Sequence, residues 1–121
     1  MLRMSRNEFE KVVAQALDGL PDEIAELVEN VVVVVEDEPT DEELVSVGLD
    51  PETETLFGLY QGTALPDRGA DFAHALPDRV VIYRLPLLAE CGDRSELVRE
   101  IQDTVVHEVG HYFGLEDEDL P

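Results

Sequence analysis

The sequence predicts an α/β (α+β) protein with one domain over residues 1–121, in which a small mixed sheet packs against helices. Three observations carry this prediction: helical spacing of apolar residues near both ends, one β-branched run, and two further strand candidates. A chain of 121 residues is long enough for one hydrophobic core and too short for two. Its 44% hydrophobic residues favour a folded chain in spite of the high charge.

Two helices are predicted at the start of the chain. Ser5 and Glu8 have the spacing of a capping box, and apolar residues recur after them at helical spacing. Gly19 and Pro21 are expected to end this first helix. The stretch DEIAELVEN, residues 22–30, then predicts a second and shorter helix.

A strand and a third helix are predicted next. The run VVVVVEDE, residues 31–38, is β-branched and does not alternate, so we expect a strand that is covered on both faces. Thr40 and Glu43 form another capping box and open a short helix. Gly48 and Pro51 are expected to close that helix.

Two more strands and a long helix complete the prediction. ETLFGLYQG, residues 54–62, and DRVVIYRL, residues 78–85, are the strand candidates, separated by a loop that contains Gly and Pro. The last helix is predicted to start at Asp93, to run to about Phe113 and to stop at Gly114. The GLYQG segment lacks the lysine and the spacing of a phosphate-binding loop, so the sequence gives no support for nucleotide binding.

Charge and cysteine content restrict the partners and the compartment. The formal net charge of -21 repels phosphate backbones, so we expect no nucleic acid; it favours basic partners or simply solubility. Cys91 is the only cysteine, which excludes an internal disulfide and fits a reducing compartment. The N-terminus does not resemble a signal peptide, and the aliphatic run Val31–Val35 is too short for a membrane span. We therefore expect a cytoplasmic protein without a membrane partner; its oligomeric state stays open, a homodimer included.

The last predicted helix carries an H-E-x-x-H sequence. On a helical wheel at ~100° per residue, the apolar residues from Leu97 to Phe113 fall within about half the circle. His107 and His111 lie on the other half, one turn apart, and Glu108 lies between them and the apolar arc. Histidines that are satisfied inside a core do not fit this placement. Two metal ligands with a neighbouring base do fit it.

Each residue of the extended pattern has a chemical role. Neutral His107 and His111 can bind Zn²⁺ from one helix face. Gly114 can adopt the left-handed conformation that turns the chain back, so that Asp117 reaches the metal as a third ligand. Glu108 is placed to take a proton from a zinc-bound water, whose pKa the metal lowers to about 7.

The stretch HEVGHYFGLED resembles H-E-x-x-H-x-x-G-x-x-D, the motif of zincin metallopeptidases with an aspartate as third ligand. The wider likeness, over residues 52–120, is to the small single-domain bacterial zincin-like metallopeptidases. This resemblance implies a minimal zincin-like fold with the motif helix at the C-terminus, zinc bound by His107, His111 and Asp117, and Glu108 as catalytic base. The chain departs from the larger metzincins because it has no methionine after the motif.

Further residues are candidates for contacts with substrate or transition state. Tyr83 and Arg84 are adjacent on a predicted strand, so only one of them can face a cleft and stabilise an oxyanion. His74 lies in the preceding loop, where an exposed histidine without a site role is the alternative. Tyr112 lies on the apolar arc and is expected in the core. The other acidic residues around Asp117 are expected to form a solvated tail.

The predicted function is zinc-dependent hydrolysis of peptide bonds in a peptide or protein substrate, with a basic substrate favoured by the charge. In zincins the substrate extends along an edge strand, and DRVVIYRL, residues 78–85, is the candidate for that strand. Two alternatives stay open. The first is a non-catalytic zinc-binding interaction module, and the second is a specialised protease that cuts one regulatory protein.

Overall fold

The computed structural model describes residues 2–62 and 78–114, which form five helices and three strands. The elements in chain order are α1 (Arg6–Asp18), α2 (Asp22–Val28), β1 (Val32–Glu36), α3 (Asp41–Ser46), β2 (Gly58–Gln61), β3 (Arg79–Tyr83), α4 (Arg84–Glu90) and α5 (Arg94–Tyr112). The predicted α/β class with a small mixed sheet is confirmed.

Side-chain caps begin three of the helices, as the sequence predicts. Ser5 accepts a hydrogen bond from the backbone N–H of Glu8, and Thr40 accepts one from that of Glu43, in two complete capping boxes. Asp93 caps α5 by accepting the backbone N–H of Glu96 at 2.8 Å. Each cap satisfies a backbone donor that has no partner inside its own helix, so the starting points of these helices follow from local sequence.

The sheet has the strand order β1-β3-β2. β1 pairs parallel with β3, and β2 pairs antiparallel with β3. The prediction that DRVVIYRL supplies an edge strand is therefore wrong, because β3 lies in the middle and has both of its edges occupied. A continuous apolar run is typical of a central strand, and Val80–Tyr83 are all buried. Among the strands that the structure describes, β1 and β2 lie at the two edges.

The first strand is less covered than its composition indicates. Val35 is buried, but Val32 is 46% exposed, so the expectation of cover on both faces is wrong for β1. The five consecutive valines favour a strand through their β-branched side chains, whatever the extent of their burial. Arg6 donates a hydrogen bond to the carbonyl of Val35 and so covers part of the strand's free edge.

Helix α4 was not predicted from the sequence. It begins directly after β3, and it contains Pro86 as its third residue. Proline usually ends a helix because it lacks an N–H, but the first-turn N–H groups have no partner within the helix in any case. Pro86 is therefore tolerated there, and α4 includes Arg84 and Leu85, which were predicted to belong to the strand.

Glu43 connects α3 with the end of β2. Its carboxylate accepts hydrogen bonds from the backbone of Thr40 at 2.9 Å and from the Gln61 side chain at 3.0 Å. Burial raises the pKa of Glu43, but the hydrogen bonds that it accepts outweigh this and lower the pKa below its ordinary value. The edge strand β2 is thus held at its C-terminal end by a charged, hydrogen-bonded group.

Helix α5 spans the hydrophobic core. Its residues Leu97, Ile101, Val105 and Val109 are fully buried, and they pack with α1 residues such as Phe9. One face of α5 is therefore fixed in the core, which leaves the opposite face for solvent. Within the described ranges, no helix has the length and apolar character needed to cross a membrane.

Candidate metal centre and active site

The residues of the H-E-x-x-H sequence lie in the last two turns of α5. His107 and His111 are exposed, and Glu108 is half-buried at the side of the helix that faces β2. Val105 and Val109, on the opposite side of the same turns, are buried and hold the helix in the core. This helix position keeps both imidazoles off the core face, as the wheel indicates.

The two histidine rings lie next to each other. Their centroids are 6.1 Å apart and their planes are inclined by 69°. The Nδ1 atom of His107 lies 2.7 Å from the backbone carbonyl of Asp103. Because a carbonyl oxygen can only accept, Nδ1 carries the proton, and Nε2 keeps a lone pair for a metal. The backbone of α5 thus selects the ligating tautomer of His107.

The pair fits a zinc ion. Imidazoles that share one tetrahedral zinc at ~2.1 Å have ring centroids about 5 Å apart. The observed 6.1 Å needs only modest rotation of two exposed side chains. No group of three or more candidate ligands is found among the residues that the structure describes. The predicted third ligand, Asp117, lies outside those residues.

Gly114 ends the helix in the expected way. It has a φ of +75°, a left-handed backbone conformation that residues other than glycine rarely adopt. Its N–H donates to the carbonyl of His111 at 3.1 Å, and α5 ends at Tyr112, one residue after the second histidine. The left-handed conformation predicted for Gly114 and the end of the helix at this point are confirmed. The predicted path from Gly114 to Asp117 lies outside the described residues.

The carboxylate of Glu108 is held by the edge strand β2. Its Oε1 atom accepts the backbone N–H of Tyr60 at 2.9 Å. In the antiparallel pairing of β2 with β3, Tyr83 donates to the carbonyl of Phe57, so the peptide groups of residues 58 and 60 point to the outer edge. Sequence reasoning missed this contact, because a backbone N–H has no side-chain signature.

The glycines of GLYQG let β2 lie close to α5. A Cβ atom on Gly58 would be 2.5 Å from the Cγ2 methyl of Thr104, and one on Gly62 would be 2.6 Å from the hydroxyl of Tyr112. Strand and helix run side by side in the same direction over this length. The GLYQG segment is therefore the place where the strand approaches the histidine-bearing helix, and its glycine spacing was the available signal.

An aromatic cluster borders the site at the C-terminal end of α5. The rings of Tyr60 and Tyr112 are stacked with centroids 3.9 Å apart, and Phe113 meets both edge-on. Tyr112 is 48% exposed and Phe113 45%, so the expectation that Tyr112 is a core residue is wrong. The helix extends past the end of the core, and periodicity alone does not locate that end. The Tyr60 hydroxyl donates to Asp78 at 2.8 Å.

The remaining candidates do not join this group in the described structure. Tyr83 is buried on the sheet face opposite to Val80 and Ile82, which pack in the core with α5. Burial and the nearby Glu43 carboxylate raise the pKa of Tyr83, although no described atom meets hydrogen-bond geometry with its hydroxyl. Arg84 pairs with Asp37 at 3.0 Å. His74 lies outside the described residues.

Comparison with known proteins bears on both the family and the fold. A family model described as zincin-like metallopeptidase matches residues 28–121. A solved structure of a conserved hypothetical protein from Thermus thermophilus superposes with a TM-score of 0.61 at 21% identity, covering 90% of this chain and 94% of that chain. At that identity the likeness shows the fold alone. No curated protein matches this chain.

Proposed function

Because the chain belongs to the zincin-like metallopeptidase family, we propose that it hydrolyses peptide bonds with a zinc ion held by His107, His111 and Asp117. Glu108 serves as general base. The zinc ion, when bound, polarises the substrate carbonyl and lowers the pKa of a water ligand. We keep the expectation that this chemistry takes place in the cytoplasm.

The observation that carries the proposal is the common location of two imidazoles and one carboxylate beside a strand edge. His107 and His111 stand on the exposed side of α5, and Glu108 is one residue from the first of them. A structural zinc site would have no need for a half-buried carboxylate next to its ligands. A hydrolytic site needs that carboxylate to accept a proton.

Glu108 is oriented before any substrate arrives. The Tyr60 N–H occupies its Oε1 atom, which leaves Oε2 to accept a proton from an attacking water and to deliver it to the leaving amine. Oε1 therefore fixes the orientation of the carboxylate, and Oε2 takes part in the proton transfer. This division explains why a backbone donor of an edge strand belongs to the site.

The outer edge of β2 supports binding of the substrate main chain. The peptide groups of Gly58 and Tyr60 point outward there, and apart from the Tyr60 N–H they have no hydrogen-bond partner among the described residues. An extended peptide can add to this edge by main-chain hydrogen bonds and so lie next to the histidines. We therefore propose β2 as the substrate strand, in place of β3.

The test is hydrolysis of an unfolded protein mixture by the zinc-loaded protein, with and without a chelator. Cleavage that stops with the chelator and returns with zinc supports the proposal. The His107→Ala/His111→Ala double variant, carried through the same purification, is the control for a contaminating protease. Cleavage that persists in this variant contradicts the proposal.

Two other functions are separated by the same assay and one further screen. A protease specialised for one regulatory protein would leave the unfolded mixture intact but cut one native partner. A zinc-binding interaction module would bind the metal and cut neither. A zinc-loaded parent that is inactive in both screens therefore overturns the peptidase proposal in favour of the module.

A further inference from the structure

A cleft adjoins the proposed catalytic residues on the N-terminal side of His107. It lies between α5 and the beginning of β2, with a volume of about 320 Å³. Its lining includes Leu56 and Phe57 of the strand side and Glu100 and Asp103 of the helix side, next to His107 and Glu108. Because it opens beside Glu108 and along the outward edge of β2, a peptide bound to that edge would pass over it.

The two sides of the cleft differ in chemistry. The strand side presents the half-buried apolar residues Leu56 and Phe57. The helix side presents the carboxylates of Glu100, which is half-buried, and Asp103, which is exposed. Neither carboxylate has a hydrogen bond or an ion pair with another residue in the described part of the chain. The cleft therefore combines apolar surface with uncompensated negative charge.

The carboxylates are within reach of residues next to the bond that would be cut. Asp103 lies one helical turn before His107. Glu100 lies about 10 Å before His107 along the helix axis, at 1.5 Å per residue. An extended substrate advances by about 3.4 Å per residue. The cleft therefore lies beside substrate residues within about three positions of the metal site.

We propose that this cleft is a specificity subsite for a lysine or arginine side chain of the substrate, a proposal that rests on the proposed peptidase function. The long aliphatic part of such a side chain fits Leu56 and Phe57, while its cationic end reaches Glu100 and Asp103. An acidic side chain is repelled there, and an aliphatic one leaves the carboxylates without a counterion. The net charge of -21 adds attraction for a basic substrate.

Matched peptides test the subsite. Each series places lysine, norleucine or glutamate at one position within three residues of the cleaved bond, and kcat/KM is measured at low salt. We expect kcat/KM to be about tenfold higher for lysine than for norleucine at one position, and lower still for glutamate. In the Glu100→Gln/Asp103→Asn double variant this lysine-to-norleucine ratio should fall to about one. The control variant Glu26→Gln, an exposed carboxylate on α2, should keep the parent's ratio.

A binding measurement separates failure of the subsite from failure of the peptidase proposal. Fluorescently labelled versions of the lysine and norleucine peptides are titrated with zinc-loaded Glu108→Gln protein, and their dissociation constants are compared by anisotropy. The double variant and the Glu26→Gln control are measured in the same Glu108→Gln background. A lysine preference that the double variant loses and Glu26→Gln retains supports the subsite, even if no peptide is ever cleaved. A preference that is absent, or that survives in the double variant, overturns it. Cleavage of all peptides without a lysine preference would support the peptidase proposal and contradict the subsite proposal.

Discussion

The backbone N–H of Tyr60 donates a hydrogen bond of 2.9 Å to Glu108, a residue 48 positions later in the chain. This contact joins the edge strand β2 to the helix that carries the two histidines. The aromatic stacking of Tyr60 on Tyr112 joins the same two elements one turn further along. The position of the proposed base is therefore set by the packing of β2 against α5.

The first prediction concerns the metal. The parent should bind one zinc ion per chain, since two imidazoles and a carboxylate form a donor set whose geometry zinc tolerates. Replacing His107 and His111 by alanine should abolish binding, measured by elemental analysis after dialysis and by calorimetry. His74→Ala is the matched control, because it removes the third histidine of the chain and leaves the motif intact. A double variant that binds zinc as tightly as the parent contradicts the assignment.

The second prediction concerns the third ligand. Asp117→Ala should weaken zinc affinity by more than about 100-fold, because even outer-shell changes cost 10–100-fold. Glu116→Ala and Glu118→Ala should have much smaller effects, since only Asp117 has the spacing from Gly114 that the motif requires. Competition with a chromophoric chelator measures all three affinities. Equal losses at the three positions would instead indicate diffuse attraction of cations by an acidic segment.

The third prediction concerns the close approach of strand and helix. Gly58→Ala should lower the free energy of unfolding by about 1–3 kcal/mol, because the new Cβ overlaps the Thr104 methyl and crowds the Val81 carbonyl. Thr104→Ser removes that methyl and keeps the hydroxyl, so it should partly rescue the variant.

Gly92→Ala is the matched control for Gly58→Ala. Its added Cβ would be in ordinary contact, 3.5 Å from the Glu96 side chain. Urea unfolding of the parent and these variants measures the effect. Equal stability of Gly58→Ala and Gly92→Ala would mean that the packing of β2 on α5 is loose.

Local signals in the sequence identify most of the elements but not their arrangement. The capping residues Ser5, Thr40 and Asp93 mark three helix starts correctly, because capping depends on neighbours within three positions. The edge assignment of residues 78–85 failed, because strand order depends on contacts between distant segments. Helix α4 was not predicted. Its third residue is Pro86, and a proline either ends a helix or enters its first turn according to its context.

In the candidate site, too, local features could be predicted from the sequence and contacts between distant segments could not. His107, Glu108 and His111 are recognisable because their spacing on one helix is itself the geometry of the site. Tyr60 was not recognisable, since its contribution is a backbone N–H presented by the fold. Tyr112 was placed in the core because a helical wheel does not show where the covering strand stops.

The fourth prediction concerns Cys91, which is 1% exposed. Burial, and secondarily the carboxylates nearby, raise the pKa of its thiol to about 11 from an ordinary value of 9.0. The neutral thiol therefore contributes stability that is complete below pH 9 and is lost as the pH rises through 11. At pH 8 the folded protein should not react with a thiol reagent such as Ellman's, whereas the protein in urea should react with one equivalent. Rapid reaction of the folded protein would show that α4 opens readily.

The last prediction separates an enzyme from a binding module through Glu108. In Glu108→Gln the amide oxygen can still accept the Tyr60 N–H, so folding and zinc binding should stay near those of the parent. The amide cannot accept a proton from water, so hydrolysis should fall by about 10²–10⁴-fold. Thermal unfolding, zinc titration and kcat/KM on one substrate that the parent cleaves are measured on the same preparation, with Glu26→Gln as the control for lost charge. Parent-like turnover in zinc-loaded Glu108→Gln would exclude Glu108 as the base. A large loss of stability would instead assign the carboxylate to holding β2 against α5, because the Tyr60 hydrogen bond would then need its charge.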